Sequence, residues 1–240
     1  MEKQEINTES RVVARKARIT SMDDVGQLSK EELADRKLVH PGMSNKEFLN
    51  SFREIRTKIL KHAGGSNFVV SVAAVTREAG CSFVAANLAA ALALDKTKTA
   101  LLIDCNLYQP NLHQLLDIDV DSGLLDYLAD DRLDINDIIY ATGIPRLRVI
   151  PLGNQTEVGA EYFGSERMLQ LIDDLKRRYG DRYIVLDVPP IGLWAEARVL
   201  TELSDFSVIV VPYGKVNKKQ LFAAIDAVGE EKLAGLIFNN

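Results

Sequence analysis

The stretch NFVVSVAAVTREAGCSFVAANLAAALAL, residues 67–94, places a buried-type strand, a short loop and an Ala-rich helix in direct succession. Asn67 to Ala74 carries few polar side chains and reads as a strand covered on both faces, and Ser82 to Leu94 reads as a helix. Between them lies Val75-Thr76-Arg77-Glu78-Ala79-Gly80-Cys81-Ser82. A phosphate-binding loop needs this strand, loop, helix context, because backbone N–H groups and the helix N-terminus then point at the anion. The usual Gly-Lys-Ser/Thr ending reads Gly80-Cys81-Ser82, so the lysine that would touch the outer phosphates is missing, while the Ser82 hydroxyl that would coordinate Mg²⁺ survives. The segment by itself is equally readable as an ordinary tight strand-to-helix turn.

Outward from this unit the alternation continues. Thr99 to Ile103, Leu147 to Pro151, Tyr183 to Leu186, Phe206 to Val211 and Ala234 to Phe238 are apolar, strand-length runs, and helical stretches run from Met168 to Tyr179 and from about Lys218 to Val228. The fold class expected from this pattern is α/β, a doubly wound, mainly parallel sheet with helices on both faces. Before it, Phe48, Leu49, Phe52, Ile55, Ile59 and Leu60 recur at spacings of three and four, an amphipathic helix with Arg53 and Arg56 on its flank. Ser44 is the expected N-cap, with Glu47 completing a capping box, and Gly64-Gly65 the expected stop. Residues 1–44 show no sustained apolar periodicity and are expected to form a flexible arm, with 45–240 as the domain. Arg11, Arg15, Lys16 and Arg18 in the arm suit either an anionic surface or plain solvation.

The chain has 240 residues, 47% of them hydrophobic and 26% charged, enough for one sizeable core without staples. Its net charge of −5 argues against a nucleic-acid partner. No apolar run approaches the length of a membrane span, and the polar start does not read as a secretory signal. Cys81 and Cys105 are the two cysteines, too few for a disulfide framework, so a reducing, cytoplasmic setting is expected.

In open parallel sheets ligands bind at the carboxyl ends of the strands. Two further apolar runs end there on a carboxylate: Leu101-Leu102-Ile103-Asp104 and Ile184-Val185-Leu186-Asp187-Val188-Pro189-Pro190. Each aspartate alone reads as a turn former or as a group near Mg²⁺, and the second has the Walker-B arrangement. With Ser82 they form a constellation.

These motifs resemble the bacterial protein-tyrosine kinases, cytoplasmic P-loop NTPase-type domains that work with membrane co-polymerases of chain-length determinant type in capsule and exopolysaccharide synthesis. The likeness runs from about Asn45 to the end. It is carried by Phe52-Arg53-Glu54-Ile55-Arg56-Thr57, Val84-Ala85-Ala86-Asn87-Leu88-Ala89, Leu102-Ile103-Asp104 followed by Pro110-Asn111-Leu112-His113, Gly123-Leu124-Leu125-Asp126-Tyr127-Leu128, Asp187-Val188-Pro189-Pro190 and Gly235-Leu236-Ile237-Phe238-Asn239. The resemblance implies ATP or ADP with Mg²⁺ as cofactor, the Ala79, Gly80, Cys81 and Ser82 backbone around phosphate, Ser82 and Asp187 at the metal, Asp104 as general base, Asn239 facing adenine, and Arg53 and Arg56 at a homo-oligomer interface. It further implies recruitment to the inner face of the membrane by a co-polymerase.

The departures shape the expected activity. Against the family pattern, Cys81 replaces lysine, Asn106 replaces the second Walker A′ aspartate, Tyr108 replaces an arginine and Asn50 replaces a glutamate, while none of the seven tyrosines lies beyond Tyr213. A lysine ~4 Å from a phosphate oxygen supplies about 4 kcal/mol at an effective dielectric of 20, so its loss costs roughly tenfold or more even after competition. The expectation is a degenerate, kinase-like regulator of polysaccharide synthesis or export with weak or no kinase activity. The alternatives are an active kinase or ATPase with a relocated cation, Arg77, Lys215 or Lys218 being the candidates, and a partition or septum-site type positioning ATPase. Cys81 and Cys105 beside the site are either redox-active or inert fillers.

Overall fold

In a computed structural model, residues 28–154, 159–178 and 180–240 are described, and every statement below concerns them. The basic cluster at Arg11 to Arg18 lies outside these residues. Seven strands form one sheet: β1 (Val69–Ala74), β2 (Thr99–Asp104), β3 (Tyr140–Ala141), β4 (Leu147–Ile150), β5 (Arg182–Asp187), β6 (Phe206–Pro212) and β7 (Leu233–Asn239), in the spatial order β3-β4-β2-β5-β1-β6-β7. Every pairing is parallel except the short β3–β4 pair at one edge. The expected α/β class and mainly parallel sheet are therefore present.

Period-two alternation divides the core. Val70, Val72 and Ala74 of β1 face one cluster, with Leu102, Val185 and Val208, while Val69 and Ala73 face the other, with Leu101, Ile184 and Ile209. The first cluster is covered by α2 (Lys46–His62) and α3 (Cys81–Leu92), the second chiefly by α5 (Leu124–Ala129), α6 (Gly159–Phe163), α7 (Glu166–Arg178), α8 (Ala195–Glu202) and α9 (Lys218–Val228). Helix α3 is buried nearly all round, which its run of alanines permits by letting sheet and α2 approach closely.

Two expectations are corrected at the N-terminal side. The cap of α2 is Asn45, whose side chain accepts from the Phe48 N–H, so the helix starts one residue after the expected Ser44 cap. The expected flexible arm does not extend to residue 44. Helix α1 (Lys30–Asp35) opens with a Ser29/Glu32 capping box, and Leu33, Leu38, Val39 and Met43 join the first core cluster. The Val39 N–H donates to Asn87 Oδ1 in α3 at 2.8 Å, and Arg36 donates to the carbonyls of Gln114 and Leu115 at the end of α4 (Leu112–Leu115). Residues 28–44 thus form a strap bound across α3.

The strap and four of the five unanticipated helices are six residues or shorter, or irregular, which leaves too few turns for a periodic signal to stand out.

Candidate functional site

The carboxyl ends of β1, β2 and β5 meet at one edge of the sheet, where the register sets Asp104 directly opposite Asp187. Loop 75–80 leads from β1 into α3. Gly80 sits in the left-handed region at φ +75°, and a Cβ there would lie 2.3 Å from the Asn239 amide nitrogen, so glycine is required. Glu78 shares the left-handed conformation at φ +55° without that freedom, an unfavourable backbone state of the kind retained where a loop shape matters. Helix α3 has no side-chain N-cap and no acidic residue in its first turn. Its first N–H groups and the positive end of its dipole are thereby left for an anion.

An open cleft of about 580 Å³ lies in front of this helix start, bordered by the loop, by Cys81, Ser82 and Phe83, by residues 106 and 108–111, and by Pro190 and Trp194. Arg77 is the one basic side chain on that border among the described residues. Lys215 and Lys218, the other candidates for a relocated cation, do not border it.

Cys81 borders the cleft at the helix start, and its Sγ donates to the Val72 carbonyl at 3.1 Å. Burial, and then the neighbouring Asp187 and Asp104 charges, push its thiol well above the ordinary range, and burial with the same carboxylates does so for Cys105. Both cysteines are free, buried and held as thiols, which favours the filler reading over the redox one.

The two aspartates are fully buried but differently engaged. Asp104 accepts from the backbone N–H groups of Asn106 (3.0 Å) and Leu112 (3.4 Å), and neither it nor Asp187 borders the cleft. Expected as a general base, it is placed here as an organiser of the loop after β2. Asn106, in the position of the missing carboxylate, accepts from the N–H groups of Tyr108 and Gln109 in the same loop. Asp187 has no hydrogen-bond partner of good geometry on either carboxylate oxygen. Burial is the main cause that pushes its carboxyl up to about 7, offset in part by the nearby Ser82 hydroxyl and Cys81 thiol. A buried carboxylate with no partner of good geometry is a costly arrangement that a bound cation would relieve. Ser82 and Asp187 therefore fit Mg²⁺, with the Ala79 to Ser82 backbone fitting the phosphates of a nucleotide.

Three placements differ from expectation. Asn239 does not border the cleft; its amide donates to the Ala79 carbonyl at 2.8 Å and fastens β7 to the loop. Arg56 donates to the Ala91 carbonyl at 3.0 Å near the C-terminus of α3, so one of the two expected interface arginines is engaged within the chain, whereas Arg53 is exposed. Trp194 and Glu196, absent from the sequence-derived set, belong to the rim: the Trp194 ring stacks on Tyr108 at 3.6 Å between centroids, and the Tyr108 hydroxyl donates to Glu196. The lone tryptophan beyond the Asp187-Val188-Pro189-Pro190 motif was the available signal.

The parallel sheet, the glycine-turned loop running into an uncapped helix and the paired strand-end aspartates define a P-loop NTPase fold. Relatives place the chain within that class. It is 30% identical over 202 residues to the tyrosine-protein kinase YwqD of Bacillus subtilis, covering 82% of this chain and 84% of that one, and it belongs to the bacterial tyrosine-protein kinase family. It is also 28% identical over 215 residues to the tyrosine-protein kinase CpsD of Streptococcus agalactiae, covering 88% and 90% of the two chains. The likeness to the tyrosine-protein kinase ptk of Acinetobacter johnsonii, 24% over 195 residues, spans 80% of this chain but only 26% of that protein. No family model matches. Among solved structures, the chimerical protein CapA2B2 superposes with a TM-score of 0.75 at 22% identity, covering 88% of this chain and 98% of that one. The kinase domain of Escherichia coli tyrosine kinase ETK does so at 0.73 and 24%, covering 80% and 74%. The septum site-determining protein MinD of Pyrococcus horikoshii, complexed with Mg-ADP, is more distant at 0.57 and 24%, covering 71% and 68%.

Proposed function

We propose that this chain is a nucleotide-binding, kinase-like regulator with weak or no phosphoryl-transfer activity, acting with a membrane co-polymerase in capsule or exopolysaccharide synthesis. The observation that carries the reading is the contrast at the start of α3. Asp187 is buried with the Ser82 hydroxyl and the Cys81 thiol near it, an arrangement that suits a metal, while position 81 supplies a neutral thiol, bonded to the Val72 carbonyl, where the family resemblance has an ammonium. Binding needs the loop backbone and the metal ligands, whereas phosphoryl transfer depends on further charge stabilisation at the outer phosphates. Ser82, Asp187 and the loop backbone suit the first set, and the neutral side chains at Cys81 and Asn106 are what support a reduced second. Ser82 and Asp187 would hold Mg²⁺, which would neutralise phosphate charge when bound.

Partnership with a membrane co-polymerase is supported by the family to which the chain belongs. Localisation at the inner face of the membrane and a homo-oligomeric state using Arg53 are part of the same proposal. The positioning-ATPase alternative is less well supported, because the MinD likeness is the weaker one.

The test is calorimetric titration with Mg-ADP and Mg-ATP together with measurement of phosphate release and phosphotyrosine formation. The wild-type chain is expected to bind both nucleotides, and Cys81→Lys to raise turnover roughly tenfold or more. Rapid wild-type turnover, matching that of Cys81→Lys, would defeat the reading.

A further inference from the structure

Three loops converge on the rim of the cleft, and each contributes one member of a single stack. Arg77 comes from the loop after β1, Tyr108 from the loop after β2 that carries Asn106, and Trp194 from the segment after β5 that follows Asp187. The Arg77 guanidinium lies 5.2 Å from the centre of the Trp194 ring. The same ring stacks on Tyr108 at an interplanar angle of 14°, and the Tyr108 hydroxyl is held by Glu196 at 2.8 Å. Burial and the Glu196 carboxylate keep that hydroxyl protonated, pushing it up to about 12, so the stack is constant across the working pH range.

Arg77 has no ion-pair partner among the described residues. It is exposed, sits within the loop itself, and is the one basic side chain there that borders the cleft. Positions 81 and 108, where the family resemblance places a lysine and an arginine, here carry neutral side chains. A guanidinium on an exposed aromatic face is held weakly, whereas its planar fork matches phosphate oxygens two at a time. A polyphosphate entering the cleft therefore outcompetes the ring.

We propose that Arg77, parked on Trp194 in the ligand-free protein, is the cation that neutralises a nucleoside di- or triphosphate in this cleft, taking over the charge that position 81 lacks. This rests on the nucleotide-binding reading above. It adds a specific phosphate ligand and a built-in signal, because Trp194 is the only tryptophan of the chain.

The experiment compares wild type, Arg77→Ala and Arg77→Lys by calorimetric titration with Mg-ADP and by Trp194 emission during the same titration. Arg77→Ala is expected to weaken binding tenfold or more and Arg77→Lys to give an intermediate affinity. Wild-type emission is expected to change at saturation as the guanidinium leaves the ring, and this change is expected to disappear in Arg77→Ala. In a Cys81→Lys background the Arg77→Ala effect is expected to shrink to less than threefold, since the charge is then supplied from the helix start. If Arg77→Ala binds as wild type does and retains the emission change, the proposal fails while the nucleotide reading stands. If the wild type does not bind Mg-ADP at all, both fail.

Discussion

Asp187→Asn is expected to stabilise the ligand-free protein and to weaken Mg-nucleotide binding by tenfold or more. The carboxyl is fully buried, neither oxygen has a partner of good geometry, and Asp104 lies opposite it in register. Its acidity is shifted upward, from 3.8 to about 7, so the folded state holds a proton that the unfolded state has released. For a group shifted in this direction, the associated stability is complete below the unfolded value and disappears as pH rises through the folded one. The wild-type melting temperature is therefore expected to fall between about pH 4 and pH 7, and the asparagine variant to show a flatter profile. Each pH unit over which one proton is differentially held is worth about 1.4 kcal/mol, and an amide that needs no ionisation is expected to add about 1 to 3 kcal/mol near pH 8. For a chain of this size that is a rise of roughly 5 °C in melting temperature. Thermal melts across pH, with and without Mg-ADP, check both halves. A variant that is less stable at pH 8 while still stabilised by Mg-ADP would show that the carboxylate is structural.

Leu38→Ala is the second variant with a large expected effect, a loss of about 2 to 5 kcal/mol. Leu38 is fully buried in the first core cluster, its N–H donates to the Leu33 carbonyl, and the next residue is tied to α3 through Asn87. Removing its branched end leaves a cavity between the strap and the helix that carries Cys81 and Ser82. Asn87→Ala probes the same joint through a different bond, leaving the buried Val39 N–H without an acceptor at a cost of about 1 to 3 kcal/mol. Denaturant unfolding measures both. A Leu38→Ala change below about 1 kcal/mol would mean that residues 28–44 are a dispensable arm after all.

That strap marks the boundary of what could be read along the chain. Its signals were present in Ser29 and Glu32 as a capping box and in Leu33, Leu38, Val39 and Met43 as apolar positions, but they are spread over a short helix and an irregular connection. Periodicity needs several turns on one element to be visible, and here burial is produced by a neighbouring helix rather than by the segment's own repeat. The long strands and helices, by contrast, bury whole faces, and their apolar runs were legible to within one or two residues. The same holds at the site. Gly80, Ser82 and Asp187 could be selected as candidates because strand-end position and residue type are both sequence properties.

Roles that depend on direction were decided only in three dimensions. The sequence placed Asp104 and Asp187 alike at strand ends, yet only folding gave the first its backbone donors and left the second with no partner of good geometry. The sequence put a thiol at position 81, and the fold bonded it to the Val72 carbonyl. Arg77 and Trp194 lie 117 positions apart, so no local pattern could pair them; their contact exists because parallel strands β1 and β5 end side by side. Sequence alone determined the α/β class, the succession of strand, loop and helix over residues 67–94 and the cysteine at position 81, since these follow from hydrophobic period and residue identity. Tertiary structure determined which charges are satisfied, which are left waiting and which cation borders the cleft, because those depend on the distances that packing imposes between residues remote in the chain.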